Sequence, residues 1–306
     1  MNVLQARGKL LISAEYMVLH GSQALVLPLN KTQSLHKIKS GDRTRFSWNA
    51  YQGKDLWFRA DFRPSTLEIV TTSDREKAEK LRLLLEALME LDPLFQRELH
   101  IWDVETRLDF SPEWGFGSSS TLTVLMAEWA GVNALDLHFM ISEGSGYDVA
   151  CAVADHAILY SLRDEEPHYE PVLFHPPQAD QIHFVWLGSK QSTALHLREM
   201  AGRLNPTREE VNYFSKLTRD MLGARDLKEF RALMEEHEAK LSELTGQERV
   251  SQARFPGLQG SVKSLGAWGG DFVMIASEQE PGALYNYLDK LGFTTRFRFK
   301  DLIYEA

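Results

Sequence analysis

Apolar residues along the chain recur at two spacings, one typical of helices and the other typical of strands. Residues 75–91 carry apolar side chains three or four positions apart, which predicts an amphipathic helix; they are Ala78, Leu81, Leu84, Leu85 and Leu88. Further helices are predicted at 121–130, 207–223, 226–245 and 281–291. Strands are predicted at 24–29, 99–110, 157–162, 182–187, 272–276 and 294–303, with a hairpin at 44–62. Both halves mix the two kinds of element, so the pattern predicts two α+β domains.

A polar, proline-containing stretch at 163–180 separates the two halves. Domain boundaries fall in such segments because few contacts cross them. We therefore expect an N-terminal domain at 1–165 and a C-terminal domain at 166–306.

The composition is typical of a folded protein with an acidic net charge. The chain is 43% hydrophobic and 25% charged, which is ordinary for a globular protein. Its formal net charge of -9 argues against a general nucleic-acid binder, which needs clustered Lys and Arg to neutralise phosphates. A small anionic ligand is still compatible with it, because a local basic pocket can exist in an acidic protein.

The cysteine content and the length of the apolar runs predict the compartment. Cys151 is the single cysteine, so no disulfide can form within the chain, as expected in a reducing cytosol. No segment approaches the roughly 18 apolar residues of a membrane-spanning helix. We expect a cytoplasmic protein with no membrane partner, either a monomer or a homodimer.

Glycine and serine concentrate at 111–120, which reads SPEWGFGSSS and is called the first glycine loop below. Glycines let the backbone approach a ligand closely, and the helix predicted after the loop would present unpaired N–H groups and its positive dipole end. Such a helix start suits a phosphate. Taken alone, the segment is explained equally well by serines that cap a helix. It matches neither the P-loop, since no Gly-Lys-Ser/Thr follows, nor the hydrolase G-x-S-x-G.

Two further glycine-rich segments favour the phosphate interpretation. The second glycine loop, 144–148, reads GSGYD and places Asp148 directly after a tight turn. The third glycine loop, 266–271, reads GAWGGD and precedes an apolar strand. Ordinary turns do not require this many glycines, whereas loops packed around a polyanion explain all of these segments together.

Three ordered motifs resemble those of the GHMP kinases, the superfamily of galactose, homoserine, mevalonate and phosphomevalonate kinases. They read GKLLISAEYMVLHG at 8–21, PEWGFGSSS at 112–120 and KSLGAWGGD at 263–271, and together they extend over nearly the whole chain. The resemblance implies a two-domain α+β fold, with a ribosomal-protein-S5-like N-terminal domain and a ferredoxin-like C-terminal domain. It also implies ATP and Mg²⁺ as cofactors.

Further details resemble the mevalonate-pathway branch. The segments GSGYDVACA at 144–152 and WLGSKQST at 186–193, with Glu15-Tyr16, are similar to phosphomevalonate kinases, whereas VLHG at 18–21 looks more like mevalonate kinases. The resemblance therefore implies phosphorylation of an acidic metabolite in isoprenoid precursor synthesis, either phosphomevalonate or mevalonate.

The resemblance also implies roles for individual residues. Asp148 would be the catalytic base, and Lys9 would stabilise the charge on the transferred phosphate. The ATP-binding residues would be Pro112, Gly115, Gly117, Ser118, Ser119 and Ser120. The acceptor would meet Glu15, Tyr16, Ser145, Gly146, Ser189, Lys190, Ser192, Gly266, Ala267 and Gly269, with Lys190 facing an anionic head group.

The metal site and the third glycine loop are less completely specified. Ser119 matches the family's Mg²⁺-binding serine, and Asp136 lies near the position of the family's acid, although a helix cap or a solvated surface acid explains Asp136 as well. Trp268 stands where the family has a glycine, so either its indole points away from the ligand or the site is reshaped. Two alternatives stay open: a GHMP-type kinase of the sugar or homoserine class, and a ligand-binding regulator that kept the fold and lost turnover.

Overall fold

The computed structural model describes residues 3–188, 204–266 and 271–305. The chain divides into two compact units. The first unit comprises Met1–Gly8, Lys31–Pro112 and Phe116–Val153, and the second comprises Lys9–Asn30, Glu113–Gly115 and Ala154–Ala306.

Strands and helices alternate along the described residues. The strands are β1 (Val3–Leu11), β2 (Ala24–Lys39), β3 (Phe46–Gln52), β4 (Asp55–Phe62), β5 (Ile69–Thr72), β6 (Trp102–Leu108), β7 (Ala157–Arg163), β8 (Glu166–Val172), β9 (Ile182–Trp186), β10 (Ser261–Leu265), β11 (Phe272–Ala276) and β12 (Arg296–Arg298). The α-helices are α1 (Arg75–Leu91), α2 (Ser118–Ala130), α3 (Ala134–Ile141), α4 (Tyr147–Ala152), α5 (Arg208–Leu222), α6 (Leu227–Thr245), α7 (Val250–Arg254), α8 (Pro281–Lys290) and α9 (Phe299–Leu302). Short 3-10 helices cover Met17–His20, Phe95–His100 and Ala179–Gln181.

In the first unit, β5, β4, β3, β6 and the second half of β2 form a sheet in that order. β3 and β6 run parallel, whereas the other neighbours are antiparallel. The helices α1 to α4 pack against one another. Their apolar faces share a buried core with the sheet, in which Phe46 and Trp48 of β3 meet Leu85 of α1 and Trp129 of α2. This core fixes α2, whose first residues belong to the first glycine loop.

In the second unit, β10, β11, β9 and β12 form an antiparallel sheet in that order. The first residues of β2 pair with β7, and β7 pairs with β8. The helix α6 packs against β10, and α8 shares a core with the strands through Leu284, Leu288, Val273 and Ile275. Every residue of β10 and β11 is buried, so the strands on either side of the third glycine loop are held rigidly.

The structure confirms the α+β class and most of the predicted elements. The predicted helix at 75–91 is α1, those at 207–223 and 226–245 are α5 and α6, and the hairpin at 44–62 is β3 with β4. The helix predicted at 121–130 begins earlier, at Ser118, because Gly117 rather than a later residue ends the loop.

The structure differs from the sequence analysis in the extent of several strands, and the strand predicted at 99–110 is limited to Trp102–Leu108. The polar stretch at 163–180 contains β8, an edge strand whose prolines and charges hid it, although such residues are typical of strand edges. The final strand is limited to β12, because the chain turns into α9 at Phe299. The strand predicted at 24–29 continues to Lys39 past Pro28, and its later residues are mostly polar and only partly buried, so they give no apolar run.

The compact units divide the chain differently from the predicted boundary after residue 165. The first unit ends at Val153, and Lys9–Asn30 groups with the C-terminal half. The pairing of β7 with the start of β2 explains this grouping, because it joins 157–163 to the N-terminal segment. Within the described ranges, no helix combines the length and the apolar character needed to cross a bilayer.

Candidate functional site

The last three residues of the first glycine loop, Ser118 to Ser120, form the first turn of α2. Gly117 is the N-cap residue and adopts a left-handed conformation, with φ 86° and ψ 39°, which glycine tolerates best. No side chain caps this end of α2 by hydrogen bonding. The structure is therefore against the capping interpretation of Ser118–Ser120. The first N–H groups of the helix point into the loop, and the side chain of Ser119 is exposed on the first turn.

Polar side chains fix the first turn of α2 from inside the first unit. Thr121 Oγ1 donates to Gln33 Oε1 at 2.6 Å, and both residues are buried. Thr123 Oγ1 donates to the carbonyl oxygen of Ser119 at 3.1 Å. These bonds hold the helix start in place behind its exposed serine.

Within the first unit, a hydrogen bond links the second glycine loop to the first. Ser120 Oγ donates to Asp148 Oδ2 at 2.5 Å, although the two residues are 28 positions apart. Asp148 occupies the first turn of α4, and its Oδ1 also accepts from the N–H of Val149. The structure thus brings the predicted catalytic base to the predicted phosphate loop.

The turn before Asp148 is packed closely. Gly146 has φ 81°, and a Cβ placed there would lie 3.1 Å from Leu135 and 3.2 Å from Phe139 of α3. Ser145 is buried beside it. Glycine at 146 therefore allows α3 to support the turn that presents Asp148.

Within the second unit, Lys9 contacts the leading part of the first glycine loop. Its Nζ donates to the carbonyl oxygen of Gly115 at 3.1 Å. Gly115 has φ 66°, and the carboxylate of Asp271, which ends the third glycine loop, lies against its Cα. Lys9, the predicted catalytic lysine, and Asp271 of the third glycine loop thus both contact Gly115 of the first glycine loop.

A buried ionic cluster, formed by Glu15, Lys263, His237 and Glu238, lies elsewhere in the second unit. Lys263 Nζ donates to Glu15 Oε1 at 2.5 Å and to the carbonyl oxygen of Ser264 at 3.0 Å. Glu238 Oε1 lies 3.8 Å from the same ammonium. All four side chains of the cluster are at most 1% exposed.

Burial shifts the protonation of this cluster. It raises the pKa of Glu15, an effect that Lys263 opposes, and it raises the pKa of Glu238 to about 8. His237 Nε2 accepts from the N–H of Ala14 at 3.0 Å, and burial holds the pKa of this imidazole well below its usual range. At neutral pH the cluster therefore holds a neutral imidazole and a protonated Glu238 beside the lysine.

Glu15 and Tyr16 were predicted to line the acceptor, and the structure buries both side chains. Ala14 and Tyr16 have positive φ values of 61° and 63°, which are rare for residues other than glycine. Such strain persists only where the surroundings over-determine it, and the bonds of Glu15 and Ala14 to Lys263 and His237 do so here.

Sequence reasoning missed Glu238. The signal was available, because Glu238 falls four residues after Met234 and three before Leu241, on the buried side of α6. A charged residue at an apolar helix position indicates a buried partner. The identity of that partner could not be predicted, because Lys263 lies on a different element.

The predicted Mg²⁺ ligands occupy different helices. Asp136 is exposed in the first turn of α3, where its N–H bonds to the capping side chain of Asn133. No group of three or more His, Cys, Asp or Glu residues in the described part of the chain could hold a metal. An exposed hydroxyl at a helix N-terminus nevertheless suits Mg²⁺ bound to nucleotide phosphates, which keeps few protein ligands.

Several predicted acceptor residues fall outside the described residues: Ser189, Lys190, Ser192, Ala267 and Gly269. Trp268 does too. Gly266 is described, with φ 71° at the end of β10.

No protein-family model matches the chain. No curated protein matches it by sequence. Solved structures do match, and three illustrate the range. Phosphomevalonate kinase of Streptococcus pneumoniae, in complex with phosphomevalonate and AMPPNP, superposes with a TM-score of 0.71 at 16% identity, over 97% of this chain and 100% of that one.

Mevalonate kinase of Methanococcus jannaschii gives a TM-score of 0.71 at 14% identity, over 100% of this chain and 98% of that one. Galactokinase of Lactococcus lactis, complexed with galactose, gives 0.60 at 11% identity, over 97% and 92%. At these identities the likeness concerns the fold. The chain has the two-domain fold of the GHMP kinases.

Proposed function

We propose that this chain is an ATP-dependent kinase that transfers the γ-phosphate to a small anionic metabolite. The observation that carries the proposal is the hydrogen bond from Ser120 to Asp148. It attaches a carboxylate suited to proton abstraction to the first turn of a helix whose N-terminus suits phosphate. A purely structural role would not require a carboxylate and an uncapped helix N-terminus at the point where two glycine loops meet.

The nucleotide phosphates would lie at the N-terminus of α2. Gly117 leaves this helix end without a capping side chain, and the N–H groups of Ser118 to Ser120 supply donors together with the helix dipole. Mg²⁺, held by the phosphates with Ser119 and with Asp136 as its proposed carboxylate ligand, would neutralise phosphate charge.

In the proposed reaction, Asp148 accepts the proton carried by the acceptor oxygen, which is a hydroxyl in mevalonate and a phosphate oxygen in 5-phosphomevalonate. The acceptor oxygen forms a bond to the γ-phosphorus as the bond from that phosphorus to the bridging oxygen of ADP breaks. Lys9 supplies positive charge to the transferred phosphate, and its bond to the carbonyl of Gly115 limits where its ammonium can lie. Phosphoryl transfer depends mainly on such positioning, so few groups are needed.

We propose phosphomevalonate or mevalonate as the acceptor. The support is the motif resemblance together with the fold shared with phosphomevalonate and mevalonate kinases. Ser189, Lys190 and Ser192, with Gly266, Ala267 and Gly269, are the proposed acceptor contacts. The galactokinase likeness keeps sugars as comparison substrates in the test.

The test is ADP release by the purified protein with Mg²⁺, ATP and one acceptor at a time: mevalonate, 5-phosphomevalonate, galactose or homoserine. We expect stimulation by one of the first two. Binding of ATP without stimulation by any small alcohol would contradict the kinase and favour a regulator that kept the fold.

We predict that Asp148→Asn abolishes transfer and preserves nucleotide affinity. The amide keeps the shape of the carboxylate and can still accept from Ser120, but it cannot take the acceptor's proton. Turnover should fall by about 10²-fold or more, the usual contribution of a general base. Turnover is measured with the best acceptor, and AMPPNP affinity by calorimetry. Retained turnover would remove Asp148 from the mechanism. The control variant is Asp155→Asn, at an exposed aspartate that follows the same helix, α4.

A further inference from the structure

Asp271 is the buried carboxylate that ends the third glycine loop. Its residue is 8% exposed, and its carbonyl oxygen accepts from the N–H of Leu187 at 3.0 Å, which fixes its backbone at the start of β11. A carboxylate this deeply buried needs polar partners, because desolvation of its charge is costly. Neither a turn nor a strand start requires an acid at this position.

The side chain of Asp271 fills the space that a side chain at Gly115 would occupy. A Cβ built on Gly115 would lie 1.8 Å from Asp271 Oδ2, 2.5 Å from its Cγ and 2.9 Å from its Cβ. All three atoms belong to one side chain, so the Oδ2 side of the carboxyl group lies against the backbone of the first glycine loop. Both residues belong to the second unit.

Lys9 and two aromatic side chains also hold the backbone around Gly115 in place. The carbonyl oxygen of Gly115 accepts from Lys9 Nζ at 3.1 Å. Trp114, the residue before, packs edge-on against Phe297 with ring centroids 5.3 Å apart, and against Phe272 at 6.4 Å. Phe272 directly follows Asp271 in the sequence, so one short stretch of chain contacts both Trp114 and Gly115.

We infer that Asp271 is a positioning residue, which fixes Gly115 and thereby the leading part of the phosphate loop and the ammonium group of Lys9. The inference rests on the proposed function and deepens it. Gly115 lies two residues before Gly117, the N-cap of α2, so displacement of its peptide displaces the entry to the phosphate site. Asp271 itself contacts the loop and takes no part in the transfer of the phosphate.

A double-mutant cycle between Gly115→Ala and Asp271→Ala tests this contact. Gly115→Ala alone should weaken AMPPNP binding by at least about 100-fold, because its new methyl group meets the carboxylate. Asp271→Ala alone should weaken it about tenfold, because the loop loses its support. The double variant should bind at least about tenfold more tightly than Gly115→Ala, because the obstructing group is gone.

Gly257→Ala is the matched control for the backbone. Gly257 has φ 77°, close to the 66° of Gly115, but a Cβ there meets nothing within 4 Å. The Gly257→Ala variant should melt at a lower temperature than the parent, because alanine is strained in the left-handed conformation. Its AMPPNP affinity should equal that of the parent. A parallel fall in affinity in Gly257→Ala would mean that general destabilisation, and not the contact, explains Gly115→Ala, and would overturn the inference.

AMPPNP affinity is measured by calorimetry well below the melting temperature of each variant, and the cycle is repeated on melting temperatures without nucleotide. Coupling in both measurements supports the inference. If the parent binds AMPPNP but the affinity losses of Gly115→Ala and Asp271→Ala simply add in the double variant, Asp271 does not position Gly115. The inference then fails, whereas the proposed function still stands. If the parent binds no AMPPNP, the proposed function fails and takes the inference with it.

Gly115→Ala could prevent folding altogether. Recovery of a folded, AMPPNP-binding protein in the double variant would then support the contact, and its failure to recover would contradict it. Asp271→Ala gives an independent measure, because a folded variant with the parent's AMPPNP affinity and turnover would overturn the inference without reference to Gly115.

Discussion

Glu238 shows how one buried carboxyl group can set the pH dependence of stability. Its carboxyl is buried on the inner side of α6, 3.8 Å from the ammonium of Lys263. Burial outweighs that attraction and raises its pKa from 4.5 to about 8. The folded protein therefore binds a proton at neutral pH that the unfolded chain releases.

This difference predicts the pH response of Glu238→Gln. Between pH 4.5 and 8 the folded state holds more protons than the unfolded state, so this group's contribution to stability falls as pH rises through that window. The fall can reach about 1.4 kcal/mol per pH unit. Glutamine resembles the protonated acid and does not titrate. The melting temperature of Glu238→Gln, relative to the parent, should rise from pH 5 to 8 and level off above.

The measurement is thermal unfolding of both proteins in a series of buffers. Glu209→Gln, at an exposed glutamate on α5, is the control and should follow the parent at every pH. Parallel curves for Glu238→Gln and the parent would show that Glu238 is ionised in the folded protein at neutral pH.

At the scale of elements, a buried ion pair joins β10 to the segment after β1. Lys263 is the central residue of β10, and Glu15 lies between two residues that are strained by positive φ values. The pair thus holds a backbone that would relax without it. Desolvation makes such pairs poor sources of net stability, yet the loss of one partner is costly because the other stays buried.

We therefore expect Lys263→Met to destabilise the protein by about 3–5 kcal/mol. Glu15→Gln added to it should recover part of that loss, because no carboxylate is then left without its cation. Lys240→Met is the matched control, since Lys240 on α6 pairs with Glu243 at 3.2 Å near the surface, and such pairs contribute about 0–1 kcal/mol. Urea denaturation gives all three values. Equal losses in the single and double variants would show that Glu15 does not depend on Lys263.

At the scale of the whole molecule, the sequence predicted elements better than contacts between them. The helix at 75–91 is visible because its periodicity lies within one segment. The strand β8 is not, because an edge strand needs little apolar surface. The order of three glycine loops predicted a phosphate site, but no spacing indicates that Ser120 would bond to Asp148 or that Asp271 would meet Gly115. Such contacts depend on how distant segments pack.

Nucleotide binding should also appear in the stability of the whole chain. A ligand at 100 times its dissociation constant stabilises the native state by about 2.7 kcal/mol. An unfolding entropy of about 2.1 cal/mol/K per residue gives about 0.6 kcal/mol/K for 306 residues, so AMPPNP with Mg²⁺ should raise the melting temperature by about 4 °C. Calorimetry or a thermal shift assay measures the rise.

Alanine substitutions at the two ends of α2 distinguish the loss of nucleotide binding from a loss of helix stability. Gly117 and Gly131 flank the same helix, both left-handed, with φ 86° and 72°. Alanine at either position should cost similar backbone strain, because both would force a Cβ into that conformation. Gly117→Ala should also lose the rise in melting temperature with AMPPNP, since its methyl group enters the phosphate site, whereas Gly131→Ala should keep it. An equal rise in both variants would place the nucleotide away from the N-terminus of α2.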